Sequence, residues 1–144
     1  MADPSTRDAL EVAYRALRVR DRSERELDER LAARGVTELV REEALATLRR
    51  TGLVDDHRFA ERRASALASR GAGNALIRHE LAAAGISEDI AEEALDALES
   101  ELDRARSVVE RRGSGARTAR YLSGKGFGDD VVGAVAGRSS DELG

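Results

Sequence analysis

The sequence predicts an all-α protein built from three tandem three-helix repeats, helix-turn-helix-like units stacked into an elongated, curved array. Two observations carry that prediction. The stretch "GVTELVREEAL" beginning at Gly35 returns as "GISEDIAEEAL" at Gly85, and more faintly as "GFGDDVVGAV" at Gly126. Self-similarity at intervals of this size marks a repeat architecture. The apolar residues also recur with helical spacing, and no segment alternates with period two over the length of a strand.

Aligned on Gly35, Gly85 and Gly126, the copies share apolar columns. Leu31, Leu81 and Leu122 precede the glycines; Val36, Ile86 and Phe127 follow them. Further on come Val40, Ile90 and Val131, then Ala44, Ala94 and Val135, and upstream lie Leu17, Leu67 and Val108. Each repeat therefore reads as a helix carrying the upstream residue, a helix ending at the key glycine, and a helix beginning just after it.

The elements follow in order. Ser23 with Glu26 fits a capping box for the second helix, whose Leu27 and Leu31 share a face. Gly35 suits the C′ position, where a left-handed residue ends a helix without Cβ strain. Thr37 is placed as the N-cap of the third helix, striped by Val40, Ala44 and Leu48, with Gly52 after it. In the second repeat, Asp55 or Asp56 caps the helix containing Phe59, which is read as a plug between units. Ile77 and Leu81 lead to Gly85, and Ser87 caps a helix striped by Ile90, Ala94 and Leu98. Nothing between Gly85 and Gly113 breaks a helix strongly, yet repeat packing needs a turn near Ser100, so a bend or short break is expected around Glu99–Leu102. The third repeat is worn: Ser139 stands where Leu48 and Leu98 close the earlier copies, and the chain runs out in "RSSDELG". The repeats are assigned to residues 1–52, 53–99 and 100–138, with 139–144 a frayed tail.

Composition narrows the function classes. Aromatic residues make up 3% of the 144 residues, so the core must be thin layers of Ala- and Leu-rich helix. Cysteine is absent, which removes disulfides, zinc–thiolate sites and cysteine nucleophiles together. No apolar run approaches a membrane span, and "MADPSTRD" does not read as a secretory leader. A cytoplasmic protein with no membrane contact is expected. The formal net charge of -4 argues against a protein that simply coats nucleic acid.

Several short motifs invite chemistry and have plainer explanations. "VDDHRF" sets two carboxylates beside His57, yet adjacent acids are routine at helix starts. His79 has no second ligand at metal-binding spacing. "RGAGN" and "SGKGFG" have the composition of phosphate-cradling loops but follow no strand, so they read as caps and turns. With no nucleophile–base pair in view, neither an enzyme nor a cofactor is expected.

Charge distribution is more informative. From Leu81 to Asp103 there are eight acids and no base, including Glu88, Asp89, Asp96 and Glu99; from Arg111 to Gly126 there are five bases (Arg111, Arg112, Arg117, Arg120 and Lys125) and no acid. A second basic group, Arg15, Arg18, Arg20 and Arg22, lies near the start. Such blocks are either solvated faces that pair with each other or surfaces for partners: phosphates or acidic protein for the basic ones, basic protein for the acidic one. Tyr121, beside Arg120, is placed to stack on a base or to fill core.

The ordered set "RDRSERELDERLAARGV", "GLVDDHRFAE" (Gly52–Glu61) and "SRGAGNALIRHEL" (Ser69–Leu81) resembles the RecX family of recombination regulators, over roughly Asp8 to Gly137. The resemblance implies a cytoplasmic protein, expected to be a monomer, that binds RecA and the RecA–single-stranded DNA filament. It would lodge in the filament groove and restrain ATP hydrolysis, strand exchange and the stimulated self-cleavage of repressor. Under that reading Arg111, Arg112, Arg117, Arg120, Lys125, Arg15, Arg18 and Arg22 bind the partner, with weak direct DNA contact, while Gly52, Asp55, Asp56, Phe59, Gly35, Gly85 and Gly126 are structural. This chain departs from the family pattern after Gly73, where Asn74, Ala75 and Leu76 replace proline and basic residues, and before Gly85, where Ala82, Ala83 and Ala84 stand. A helical module acting directly on DNA is the alternative, since paired helices about a glycine turn can form a helix-turn-helix.

Overall fold

The computed structural model of the chain describes residues 5–136. Every regular element among them is a helix: α1 (Thr6–Val19), α2 (Glu24–Ala33), α3 (Glu38–Arg50), α4 (Asp56–Ser69), α5 (Asn74–Ala83), α6 (Glu88–Asp96), α7 (Glu101–Arg112), α8 (Ala116–Gly124) and α9 (Asp129–Val135). The proposed tail and Ser139 lie outside the described residues. The helices form two compact units. The first runs to Ala60 and includes Ala83–Ile86; the second takes Glu61–Ala82 and continues from Ser87. These units cut across the repeat boundaries read from the sequence.

In the first unit α1, α2 and α3 pack on one another. Leu27 and Leu48 are fully buried and meet Ala13, Ala16, Leu45 and Val54; Leu31 meets Ala9, Val36 and Ala44. Alanines on α1 let the other two helices approach closely, which is how a chain poor in aromatics closes its core. In the second unit α7, α8 and α9 repeat the arrangement around Ala105, Val108, Leu122, Phe127 and Val132.

The key glycines behave as the alignment predicts. Gly35, Gly85 and Gly126 have φ of 81°, 83° and 92°. At Gly35 the amide of Val36 donates to Leu31 O (3.1 Å), and at Gly126 the amide of Phe127 donates to Leu122 O (3.0 Å), closing the helix ends in the Schellman pattern. Gly52 (φ 76°) does the same for α3 through Leu53 N to Leu48 O. Leu31, Leu81 and Leu122 are fully buried, and Val36, Ile86 and Phe127 nearly so. The columns at Val40, Ile90 and Val131 are only half-buried, as are Leu17 and Leu67.

Some details differ from expectation. The break falls at Ala97–Ser100, ahead of the expected Glu99–Leu102, because Ser100 accepts from the Asp103 amide (3.1 Å) and so starts α7. Leu98 consequently lies beyond α6 rather than on its stripe. Thr37 occupies the N-cap of α3 but its side chain makes no capping bond. Asp55 caps α4, accepting from the Arg58 amide (3.1 Å), whereas Asp56 accepts from the Glu24 amide (2.8 Å) at the start of α2. Phe59 is buried.

Candidate functional site

The five bases between Arg111 and Gly126 sit on the last turn of α7, on α8 and in the turn after it. On α8 the buried residues are Thr118 and Leu122. At 100° per residue this turns Arg117 and Arg120, both exposed, to the opposite side. Tyr121 stands at the margin between the two faces, half-buried. The guanidinium of Arg112 lies 3.5 Å from its ring centroid, a close cation–π stack that fixes the end of α7 against α8. Within the described residues, Tyr121 is thus stacked by Arg112.

Arg111, Arg117, Arg120 and Lys125 form no hydrogen bond or ion pair through their side chains among the described residues. Other arginines of the chain do. Arg20 pairs with Glu26, Arg41 with Asp28, Arg49 with Glu24, Arg78 with Glu92 and Arg106 with Asp103. The contrast has a plain cause: a helix surface pairs charges three and four residues apart, and this stretch contains no acid to offer. Arg117 and Arg120 are thus left exposed together on α8, with no ion pair among the described residues.

Arg111 also borders a cleft of about 450 Å³ in the second unit, whose lining includes Ala68, Leu98, Arg104, Val108 and Phe127. Arg104 is a residue the charge blocks did not single out, since it sits among acids. Its guanidinium donates to Glu99 O (3.0 Å), to Ala72 O (2.7 Å) and to Asn74 Oδ1, and lies 5.9 Å from the Phe127 ring centroid. Burial lowers its pKa, with Glu101 and Glu99 opposing the shift. Arg104 is thus tied into the fold.

The amino-terminal basic group divides. Arg15 and Arg18 are exposed on α1, line a shallow cleft with Glu11 and Tyr14, and make no side-chain pair among the described residues. Arg22 is half-buried and donates to Ala16 O (3.3 Å), and Arg20 is held by Glu26. Arg22 is thus also tied to the end of α1.

His57 and His79 are exposed. Among the described residues no group of three His, Cys, Asp or Glu side chains is arranged to hold a metal, and no helix is long and apolar enough to cross a membrane. The structural residues Gly35, Gly52, Gly85, Gly126, Asp55, Asp56 and Phe59 lie at helix ends or in core.

Comparison with known proteins agrees with the repeat reading. Residues 55–95 match the family model described as RecX, second three-helix domain. The chain is 34% identical to a regulatory protein RecX of Halorhodospira halophila, covering 98% of this chain and 92% of that one. It is 37% identical to the protein of the same name from Chromohalobacter salexigens, over 83% and 85%. Among solved structures, RecX from Lactobacillus salivarius superposes with a TM-score of 0.79 at 20% identity, over 90% of this chain and 93% of that one. A second crystal structure of regulatory protein RecX gives 0.76 at 22%, over 90% and 72%.

Proposed function

The chain belongs to the RecX family of regulatory proteins, and on that premise we propose that it restrains RecA by placing the basic surface of α7 and α8 against the anionic wall of the RecA–DNA filament groove. That wall is made of DNA phosphates, acidic RecA side chains or both. Contact there holds back ATP hydrolysis, strand exchange and the stimulated self-cleavage of repressor. The observation that carries the reading is the set Arg111, Arg117, Arg120 and Lys125, left without a carboxylate partner among the described residues while other arginines are paired. Like charges held together repel, and a partner that neutralises them gains from contact. Arg15 and Arg18 offer a smaller surface of the same kind.

RecA's ATP hydrolysis on single-stranded DNA, measured with this protein added at sub-stoichiometric amounts, tests the reading. Hydrolysis is expected to fall; a rate unchanged even at equimolar protein overturns it.

The stack of Arg112 on Tyr121 favours a second reading, direct contact with single-stranded DNA, because an aromatic ring beside cations is a stacking platform. Binding to bare single-stranded DNA that weakens steeply with salt, in the absence of RecA, would support it. Retained inhibition of RecA together with no DNA binding would dismiss it.

A further inference from the structure

The basic surface has a chemical complement on the same chain, and among the described residues no ion pair joins the two. On α6, Asp89, Glu93 and Asp96 follow one another at helical spacing on a single exposed stripe, opposite the buried Ala91, Ala94 and Leu95. Glu88, at the first turn of α6, and Glu99, in the break before α7, are exposed as well. Glu92 is engaged by Arg78. The side chains of Glu88, Asp89, Asp96 and Glu99 make no hydrogen bond or ion pair among the described residues. The basic surface, for its part, is carried by α8, which packs on α7 and α9. At about 1.5 Å per residue the acidic stripe from Asp89 to Asp96 is about 10 Å long, and Arg117 and Arg120 are exposed within one turn of each other on α8, with Lys125 half-buried just past the helix end. Opposite charges thus stand exposed on two different helices of the second unit.

We propose that the basic surface of α7 and α8 docks the acidic face of α6 on a second copy of the chain, so that the protein self-associates head to tail at low ionic strength. The two patches differ, so the contact is heterologous. A docked pair keeps one acidic patch free on one copy and one basic patch free on the other, so further copies can add. The contact covers the same arginines that are assigned to the anionic partner, so self-association and partner binding exclude each other. The assembly is held by charge with little apolar area, which makes it weak, concentration-dependent and sensitive to salt.

Sedimentation velocity of the full chain, over a range of concentration, tests this without RecA. The comparison is between about 0.01 M and about 1 M salt, across which the screening length falls from about 30 Å to about 3 Å. The expected result is a sedimentation coefficient that rises with concentration at low salt and stays at the monomer value at high salt. Two double variants, Arg117→Glu with Arg120→Glu and Asp89→Lys with Asp96→Lys, should each remain monomeric at low salt. Their folding is checked by helical circular dichroism and melting. Mixed together, they should associate again, because each then presents what the other lacks. A wild type that is monomeric at low salt, double variants that associate like the wild type, or a mixture that stays monomeric overturns the proposal. RecA is absent from these measurements, so a wild type that failed to inhibit RecA would leave the self-association standing.

Discussion

The hydroxyl of Ser23 donates to the carbonyl oxygen of Ala84, 61 residues further along the chain, and Ser23 Oγ itself accepts from the amide of Glu26 at 3.1 Å. Glu26 closes the capping box by accepting the amide of Ser23 (3.1 Å). Beside it, Arg25 donates to Ala83 O (2.9 Å). One serine, fully buried, thus starts α2 and also holds the turn at Gly85. Replacing Ser23 with alanine removes the cap and leaves a buried carbonyl unpaired. The expected cost is about 2–4 kcal/mol, the sum of a lost cap and an unsatisfied acceptor. Urea unfolding of Ser23→Ala measures it, and a loss no larger than that of an exposed serine would show the joint to be dispensable.

Two glycines should respond to alanine in different ways. A methyl on Gly73 would collide with the backbone of Gly126 and Phe127, which cannot yield as a side chain would. The approach is fixed by Gly73 N to Lys125 O (2.8 Å) and Ala75 N to Gly126 O (3.0 Å). Gly35 has open space around it, and only its φ of 81° resists a side chain. Gly35→Ala should cost about 1–2 kcal/mol, the left-handed penalty. Gly73→Ala should cost about 3 kcal/mol or more, through overpacking against backbone. Thermal melting of the two variants should order them that way; the reverse order would contradict the close approach.

Asp56 gives the fold a pH dependence of defined sign. Burial raises its pKa, and the hydrogen bond from the Glu24 amide only partly opposes this. A carboxyl with a raised folded pKa favours the folded state while protonated. Its contribution is fully present below the unfolded pKa and is lost as pH rises through the folded one. Asp56→Asn keeps an oxygen for the Glu24 amide and removes the buried charge. At neutral pH the variant should be as stable as the wild type or more so, and its advantage should shrink as pH falls below the carboxylate range. Melting temperatures of both proteins across that range check it. A variant less stable at neutral pH than in acid, relative to wild type, would reverse the sign.

The fold was legible because its signals are local. A capping box, a left-handed glycine and a four-residue apolar spacing each act within one or two turns, and Ser23, Gly35 and Leu31 are recognisable from their neighbours alone. What escaped depends on partners far along the chain. Nothing near Gly73 announces that the backbone of Gly126 will lie against it. Asp55 and Asp56 look equivalent as caps until the start of α2 claims Asp56. Thr37 has the right residue type for a cap, and its backbone has the right shape, but the side chain makes no bond. The basic surface was legible as a charge block, since a stretch without acids cannot pair internally. Its division was not: Arg112 goes to Tyr121, Arg111 to a cleft, and Arg22 to the end of α1. Those assignments depend on the angle at which helices meet.

The central claim is that the basic surface of α7 and α8 is how this chain restrains RecA, and the triple variant Arg112→Glu, Arg117→Glu, Arg120→Glu tests it most directly. All three side chains are exposed. The fold loses the Arg112–Tyr121 stack, worth about 0.5–1 kcal/mol at an exposed site, and little else. RecA's ATP hydrolysis on single-stranded DNA is titrated with wild type and variant, with helical content and melting recorded for both. The account predicts a folded variant that no longer inhibits, beside a wild type whose inhibition weakens as salt rises, with RecA's own rate checked at each concentration. A folded triple variant that inhibits at the wild-type dose would contradict it and move the contact to Arg15 and Arg18.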